Sequence, residues 1–460
     1  MAATSAPTRV EQLAEFATRA DFDQLSGEAR EQLKLRVLDS LGCALGALDG
    51  EPVRMIAEHN REFGGEPLST VIAAGRTAPD RAALYNGALV RYLDFNDSYL
   101  APGETCHPSD NLAPVLAAAD YAHADGRTLL TALAVAYQVQ TRLSDVAPVR
   151  AKGFDHTTQG SYAVAAGVSR ALGLDRDHTA NAVAIAGTSL NALRVTRTGS
   201  LSHWKGLAYP ATAFGATHAT FLAKRGITGP REVFEGNKGL VDAIAGRFEI
   251  DWSQEDLESV TRTILKKFNA EIHSQSAIEA LIELKKEHDV EPDQVERIEL
   301  DTFQVAFDII GGGEEGSKYE VRTKEEADHS LPYLLAVALL DGQVLPDQYR
   351  PERIAADDVQ DLLRRVEIRP DQSLSERFPQ EHSARIKLRL RSGEVLEREQ
   401  HDYEGFITRP MKWDTVAEKF DRLASEHVDA GRREEIKEGV AALDQIETQQ
   451  LTDLLEVIRR

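Results

Sequence analysis

A mainly α fold is expected, with a large all-helical domain built from both chain ends and a smaller α+β domain set between them. Three observations predict it. Apolar residues recur every three to four positions through roughly the first 240 residues, fall near every second position after about Phe268, and regain helical spacing from Met411 onward. The chain has 460 residues, 42% hydrophobic and 28% charged, long enough for two or three domains and too apolar for disorder.

Taken in order, Ser26-Gly27-Glu28-Ala29 followed by Leu33, Val37, Leu38, Leu41 and Leu45 reads as an amphipathic helix. Similar spacing recurs in Arg81–Leu93, Leu112–Ala124, Leu129–Leu143, Tyr162–Leu172 and Thr179–Leu190. Each is rich in Ala, which lets helices approach closely and suits a chain with only 6% aromatic residues. Val295–Leu300 and Arg385–Leu390 alternate and read as strands, the second turning at Ser392-Gly393 into Val395–Glu399. Ser276–Leu284 and Pro332–Leu340 are expected to be helices packed on that sheet. Glu314–Glu326, after Gly311-Gly312-Gly313, is expected to be a mobile surface loop rather than a phosphate cradle. Val416, Phe420, Leu423, Val440, Leu443, Leu451 and Leu455 return the tail to the helical bundle, so the division expected is 1–267 with 406–460, and 268–405.

Composition excludes several functions. A formal charge of -22 opposes nucleic-acid binding, because a polyanion needs a basic face. An anionic substrate must then be met by a local basic pocket. The 15 Lys against 38 Arg are compatible with a salt-adapted source, or simply with an acidic enzyme kept soluble by its charge. No apolar run is long enough for a membrane span and no secretory signal pattern appears, so a soluble, cytoplasmic protein is expected. Two cysteines, Cys43 and Cys106, cannot build a disulfide framework or ligate an iron–sulfur cluster in the usual way. With no HExxH, EF-hand, GxGxxG or P-loop pattern either, the expected chemistry uses His, Asp and Lys with no metal and no cofactor.

The densest polar cluster is Tyr92-Leu93-Asp94-Phe95-Asn96-Asp97-Ser98 with Cys106-His107-Pro108-Ser109-Asp110-Asn111, placed where one helix ends and the next begins. Loops between packed helices can aim such groups at one cleft. Ordinary capping is the alternative, with Asp97 and Ser98 ending a helix and Ser109 or Asp110 starting one. His156 precedes a small-residue helix, whose N-terminal dipole disfavours imidazolium; a cap or surface His would look the same. Lys205 follows a Trp in a Gly/Ser loop, and Lys266 precedes Phe268–Gln275 at the seam between helical and alternating segments. The two lysines are expected on opposite walls of that seam, although any single lysine can be a solvated surface charge.

YLDFNDSYLAPGETCHPSDNLAPVLAAADY, RTGSLSHWKGLAYPAT, LKKFNAEIHSQSAIEA, ADHSLPYLLAVALLDG and PMKWDTVAEKF resemble the MmgE/PrpD family, most of all its 2-methylcitrate dehydratase subgroup. The likeness runs over nearly the whole chain. It implies a helical domain, an α+β lid, a cleft between them, a homodimer, and metal-free work on a small polycarboxylate. The implied activity is that of a hydro-lyase converting 2-methylcitrate to 2-methyl-cis-aconitate in propionate catabolism. The same resemblance admits cis-aconitate decarboxylation or another polycarboxylate lyase or epimerase activity; a non-catalytic dimeric binding protein is the alternative of another class. Asp94, His107, His156, Lys205 and Lys266 fall on the family's catalytic positions, with His107 as leading proton-transfer group and Asp94 as its orienting partner. Asn96, Ser98, Arg197, His273 and Gln275 are implied substrate-binding residues, and Arg194 a further anion contact.

Overall fold

The computed structural model describes residues 6–456 and divides them into two compact units. The first holds the described residues up to Thr196, Gly206–Thr263, and those from Lys412 onward. It is mainly helical: α1 (Arg9–Arg19), α2 (Gly27–Gly46), α3 (Glu51–Phe63), α4 (Pro79–Tyr92), α5 (Leu112–Tyr121), α6 (Gly126–Val146), α7 (Thr157–Ala171), α8 (Arg176–Ser189) and, from Gly206 on, α9 (Trp204–Lys224). Helix starts follow capping chemistry. Ser26, Asp125 and Asp175 accept backbone N–H groups of Ala29, Thr128 and His178, satisfying donors the first turn leaves open. Ala-rich faces then let α6 lie on α7, α7 on α8 and α4 on α5, burying Ala132, Ala136, Ala163 and Ala166 completely. The tail helix Trp413–Ala424 buries Val416, Phe420 and Leu423 and packs on α2.

The helices expected in this unit are present, with ends displaced by a few residues. Two short antiparallel ribbons also interrupt them: β1 (Ser69–Val71) with β2 (Gly75–Thr77), and β3 (Tyr99–Ala101) with β4 (Glu104–Cys106). Three-residue strands are too short to show alternation, which is why periodicity passes over them.

The second unit comprises Arg197–Lys205 and Ile264–Met411. Its sheet has the order β6 (Val366–Pro370), β5 (Val295–Thr302), β7 (Ala384–Leu390), β8 (Val395–Gln400). The β5–β6 pair is parallel and the others antiparallel, with Ile298 opposite Leu388 and Leu300 opposite Ile386. Those four side chains are buried on one face, which α10 (Gln275–Glu287) and the helix Leu331–Asp341 cover, as their spacing predicts. Gly393, at φ +90°, makes the β7–β8 turn. The run Glu314–Glu326 is tied down more than its charge suggests. Val321 is buried in the core, Tyr319 O–H donates to the Val366 carbonyl at 2.8 Å, and Lys324–Ala327 forms a helical turn capped by Thr323. No helix among the described residues is long and apolar enough to cross a membrane.

Candidate active site

In the first unit the site is built by the β3–β4 ribbon. After α4 the backbone turns at Asp94, which adopts φ +56°, a left-handed conformation that Asp tolerates better than most residues. Its carboxylate accepts from Arg91 at 2.6 Å. The ribbon pairs Tyr99 with Cys106. Its register, carried one residue outward, sets Ser98 beside His107. The His107 Nδ1 lies 2.7 Å from the Asp97 carbonyl and 3.1 Å from Ser98 Oγ. A carbonyl only accepts, so Nδ1 carries the proton, and whenever the ring is neutral its lone pair lies on Nε2, the form a proton acceptor needs.

The carbonyl is held by its own side chain. Asp97 Oδ1 accepts from Ser109 N at 3.0 Å and Ser109 Oγ at 2.6 Å, and Oδ2 from Tyr137 O–H at 2.9 Å. Burial raises the Asp97 carboxyl above its ordinary range, opposed by the Ser109 hydrogen bonds and the charge of Arg36. Neither Asp97 nor Ser109 caps a helix: α5 starts from Asn111 without a side-chain cap, so the capping alternative fails.

His156 sits at the N-cap position of α7, as its sequence context predicts, but it makes no cap hydrogen bond. Its Nδ1 donates to Asp155 Oδ1 at 3.0 Å, and Asp155 is braced by Thr157 N at 3.2 Å and Arg194 at 3.8 Å. The His107 and His156 rings meet edge to face at 5.5 Å, and Tyr209 stands 6.0 Å from His156. Both imidazoles are nearly excluded from solvent, at 8% and 3% exposure.

The second unit carries a different chemistry. Lys205 Nζ donates to Asp328 Oδ1 at 2.5 Å and lies 2.9 Å from His329 Nδ1, while Lys324 Nζ donates to Asp328 Oδ2 at 2.7 Å. Burial alone would raise the Asp328 carboxyl, but Lys205, Lys324 and His329 hold it well below the usual carboxylate range. Glu271 accepts from His273 Nδ1 at 2.7 Å and from His273 N at 2.8 Å. Burial opposes its ionisation, yet His273, His329 and Lys266 bring it to about 2. Burial pulls the half-buried Lys318 below its ordinary value, against the charges of Glu315 and Glu271. Four of the chain's 15 lysines, Lys205, Lys266, Lys318 and Lys324, thus gather about two buried carboxylates and leave the cluster cationic.

The MmgE/PrpD N-terminal domain model matches residues 11–253, more than half of the chain, and the C-terminal domain model matches residues 268–445. This chain belongs to the MmgE/PrpD family. Among relatives of this MmgE/PrpD chain, the mitochondrial 2-methylcitrate dehydratase of Yarrowia lipolytica is 30% identical over 416 residues, covering 83% of this chain and 77% of the relative. The 2-methylcitrate dehydratase of Salmonella typhimurium is 31% identical over 358 residues, covering 71% and 70%. A fungal alkylcitrate dehydratase is 27% identical over 455 residues, covering 89% and 86%.

In this MmgE/PrpD chain, His107, His156, Asp94, Ser98 and Asn96 come together in the first unit, and Lys205, Lys266, Arg197, His273 and Gln275 belong to the second. The two lysines therefore do not stand on opposite walls. The stretch Arg197–Lys205 clusters with Ile264–Met411, whatever its place in the sequence. The ring of His107 is oriented at Nδ1 by the Asp97 carbonyl and Ser98, the role expected of Asp94. Asn96 donates to Ser109 Oγ at 2.9 Å and Asp110 at 2.8 Å, bracing the loop. Gln275 accepts from Lys267 N and Phe268 N and donates to the Phe268 and Ala270 carbonyls, so its amide is spent on the loop after Lys266 rather than offered to a ligand. Arg197 donates to the Lys205 carbonyl at 3.1 Å. His273 keeps a buried Nε2 without a hydrogen-bond partner among the described residues. Asp155, Glu271, Lys324, Asp328 and His329 were not singled out from sequence, and Asp97 was read only as a possible helix cap. An acid directly beside or two before a His, in Asp155-His156, Asp328-His329 and Glu271-Ile272-His273, was the available signal.

Proposed function

We propose that this protein is a hydro-lyase that dehydrates 2-methylcitrate to 2-methyl-cis-aconitate in propionate catabolism, acting in the cytoplasm as a homodimer. The observation that carries the reading is the buried His107–His156 pair, rings 5.5 Å apart, each oriented at Nδ1 by an oxygen of an aspartate, the Asp97 carbonyl or the Asp155 carboxylate. The substrate class is supported by the named activities of the relatives and by the lysine cluster, whose excess positive charge suits a polycarboxylate.

Dehydration breaks a C–H bond beside a carboxylate and a C–O bond at a tertiary hydroxyl, forms a C=C bond and releases water. His107 Nε2 takes the proton. His156 enters the cycle protonated from solvent, with Asp155 stabilising its imidazolium, and gives that proton to the departing hydroxyl; after product release His107 gives up its proton to solvent and His156 takes one back. Lys205 and Lys266 meet carboxylates and the negative charge that builds beside them, with Arg197 and His273 as substrate contacts. Asp94 acts through Arg91 and Ser98 through His107. In this reading the helical domain is drawn from residues 1–267 with 406–460 and the lid domain from 268–405, except that Arg197–Lys205 and the residues from Ile264 to 267 and from 406 to Met411 go with the second unit.

The test is an assay with 2-methylcitrate, citrate and cis-aconitate that follows the conjugated product by ultraviolet absorbance and carbon dioxide by trapping. Formation of 2-methyl-cis-aconitate without carbon dioxide is expected. Carbon dioxide release from cis-aconitate would instead assign a decarboxylase, and thermal stabilisation by these ligands without turnover would assign a binding protein.

A further inference from the structure

Three cationic or potentially cationic groups converge on one buried carboxylate. Asp328 is wholly buried; Lys205 lies 123 positions away in sequence, while Lys324 and His329 are its near neighbours. A lysine is a point charge on a stem of four torsions, and such a stem is normally mobile. Here contacts at 2.5 Å to Asp328 Oδ1 and 2.9 Å to His329 Nδ1 give it a direction. The hub itself is fixed from behind. The Asp328 carbonyl accepts from Glu271 N at 3.0 Å, which ties it to the segment bearing Lys266 and His273.

One carboxylate serving one lysine would cancel the charge that makes the lysine useful. Because Lys324 shares Asp328 through the other oxygen, the trio keeps a surplus positive charge even though every member is buried or nearly so. We propose that Asp328 is the positioning residue for Lys205 in the dehydration, holding its ammonium aimed and charged while Lys324 keeps that charge from being neutralised. This inference rests on the dehydratase reading.

The test compares pH profiles of kcat/KM on 2-methylcitrate for the wild type, Asp328→Asn and Lys324→Met, with Lys205→Ala as reference. A hydrogen bond to a charged group is typically worth about ten- to a hundredfold, and that loss is expected for Asp328→Asn. Its alkaline limb should move to lower pH, because Lys205 beside Lys324 and His329 without a carboxylate gives up its proton more readily. In Lys324→Met the limb should move the other way. Lys266, Glu271 and His273 also face this cluster and are unchanged in both variants, so opposite displacements report Asp328 and Lys324 alone. A merely structural carboxylate would lower Tm and leave both limbs in place, and that result overturns the proposal. Should Asp328→Asn fail to fold, an unmoved limb in Lys324→Met overturns it by itself. If the wild type does not dehydrate 2-methylcitrate, the dehydratase reading fails, and thermal stabilisation by citrate becomes the readout. Asp328→Asn should then lose the stabilisation that Lys205→Ala loses, and retaining it would refute the positioning role.

Discussion

Replacing His107 by Asn separates the ring's two nitrogens. The Asn amide nitrogen occupies the place of Nδ1, so it can still donate to the Asp97 carbonyl, now 2.7 Å from the ring, while the Nε2 lone pair disappears. Because the buried carbonyl stays satisfied, stability should change by less than about 1 kcal/mol. His107→Ala, by contrast, strands the carbonyl and should cost about 1–3 kcal/mol. A proton-transfer group contributes about 10²–10⁴ in rate, which at about 1.36 kcal/mol per factor of ten is roughly 3–5 kcal/mol of barrier. The expected signature of His107→Asn is therefore a Tm close to wild type, a KM within a fewfold, and kcat lower by about a hundredfold or more. Steady-state kinetics on 2-methylcitrate with parallel thermal denaturation checks it. A folded His107→Asn enzyme with nearly normal kcat would remove His107 as the base and pass that role to His156.

Lys205→Ala and Lys266→Ala should each raise KM and slow turnover, since removing one partner of a desolvated charge contact costs roughly 2–5 kcal/mol; wild-type kinetics in both folded variants would break the assignment. Acid should destabilise the protein in two windows, read by denaturant midpoints across pH. Burial, reinforced by the charge of His273, lowers His382 from 6.5 to about 3, so below pH 6.5 the unfolded chain takes up a proton that the folded one refuses. Despite burial, Glu271 sits at about 2 against 4.5 ordinarily, so its contribution is complete above pH 4.5 and is lost as pH falls toward 2. His382→Asn should flatten the slope from pH 6.5 down to about 3, of which the part between pH 6.5 and 4.5, worth roughly 3 kcal/mol, is free of Glu271, and an unchanged slope there would refute the attribution. Gly126→Ala should lower Tm sharply, because a Cβ there would meet the Leu443 carbonyl oxygen at 1.6 Å and displace the chain that Gly126 N holds through Ile446 at 2.9 Å. Exhaustive chelation should leave turnover unchanged; loss of activity restored by a divalent ion would show that a metal takes part.

Local signals in the chain were readable where a single period decides the element. Ala-rich helices such as α6 and α7, the alternation of β5 and β7, and the Ser392-Gly393 turn all follow from spacing or backbone freedom within a dozen residues. The strand β6 did not stand out, because Val366–Pro370 ends in Arg369-Pro370 at a sheet edge and gains its place from parallel pairing with β5 residues 68 positions earlier. The candidate site divides in the same way. His107 and His156 announce themselves by residue type and by the turns around them. Asp97 does not, because it acts through its backbone carbonyl, and Asp328 does not, because its partner Lys205 is chosen by packing rather than by spacing. Gln275 misled for the converse reason: a polar residue in a motif looks like a ligand contact until the backbone groups it serves are known.

The first unit is discontinuous in sequence, and this imposes an order on its making. Helix α2 emerges early from the ribosome with the surface that Phe420 and Leu423 will cover, and more than 350 residues must be synthesised before that cover exists. The second unit, apart from Arg197–Lys205, is translated as the continuous stretch Ile264–Met411, so most of it is complete while the first still waits for its tail. During that interval the apolar face of α2 is a target for chaperones and for self-association. A premature stop near Met411 would therefore damage the part of the protein that was translated first.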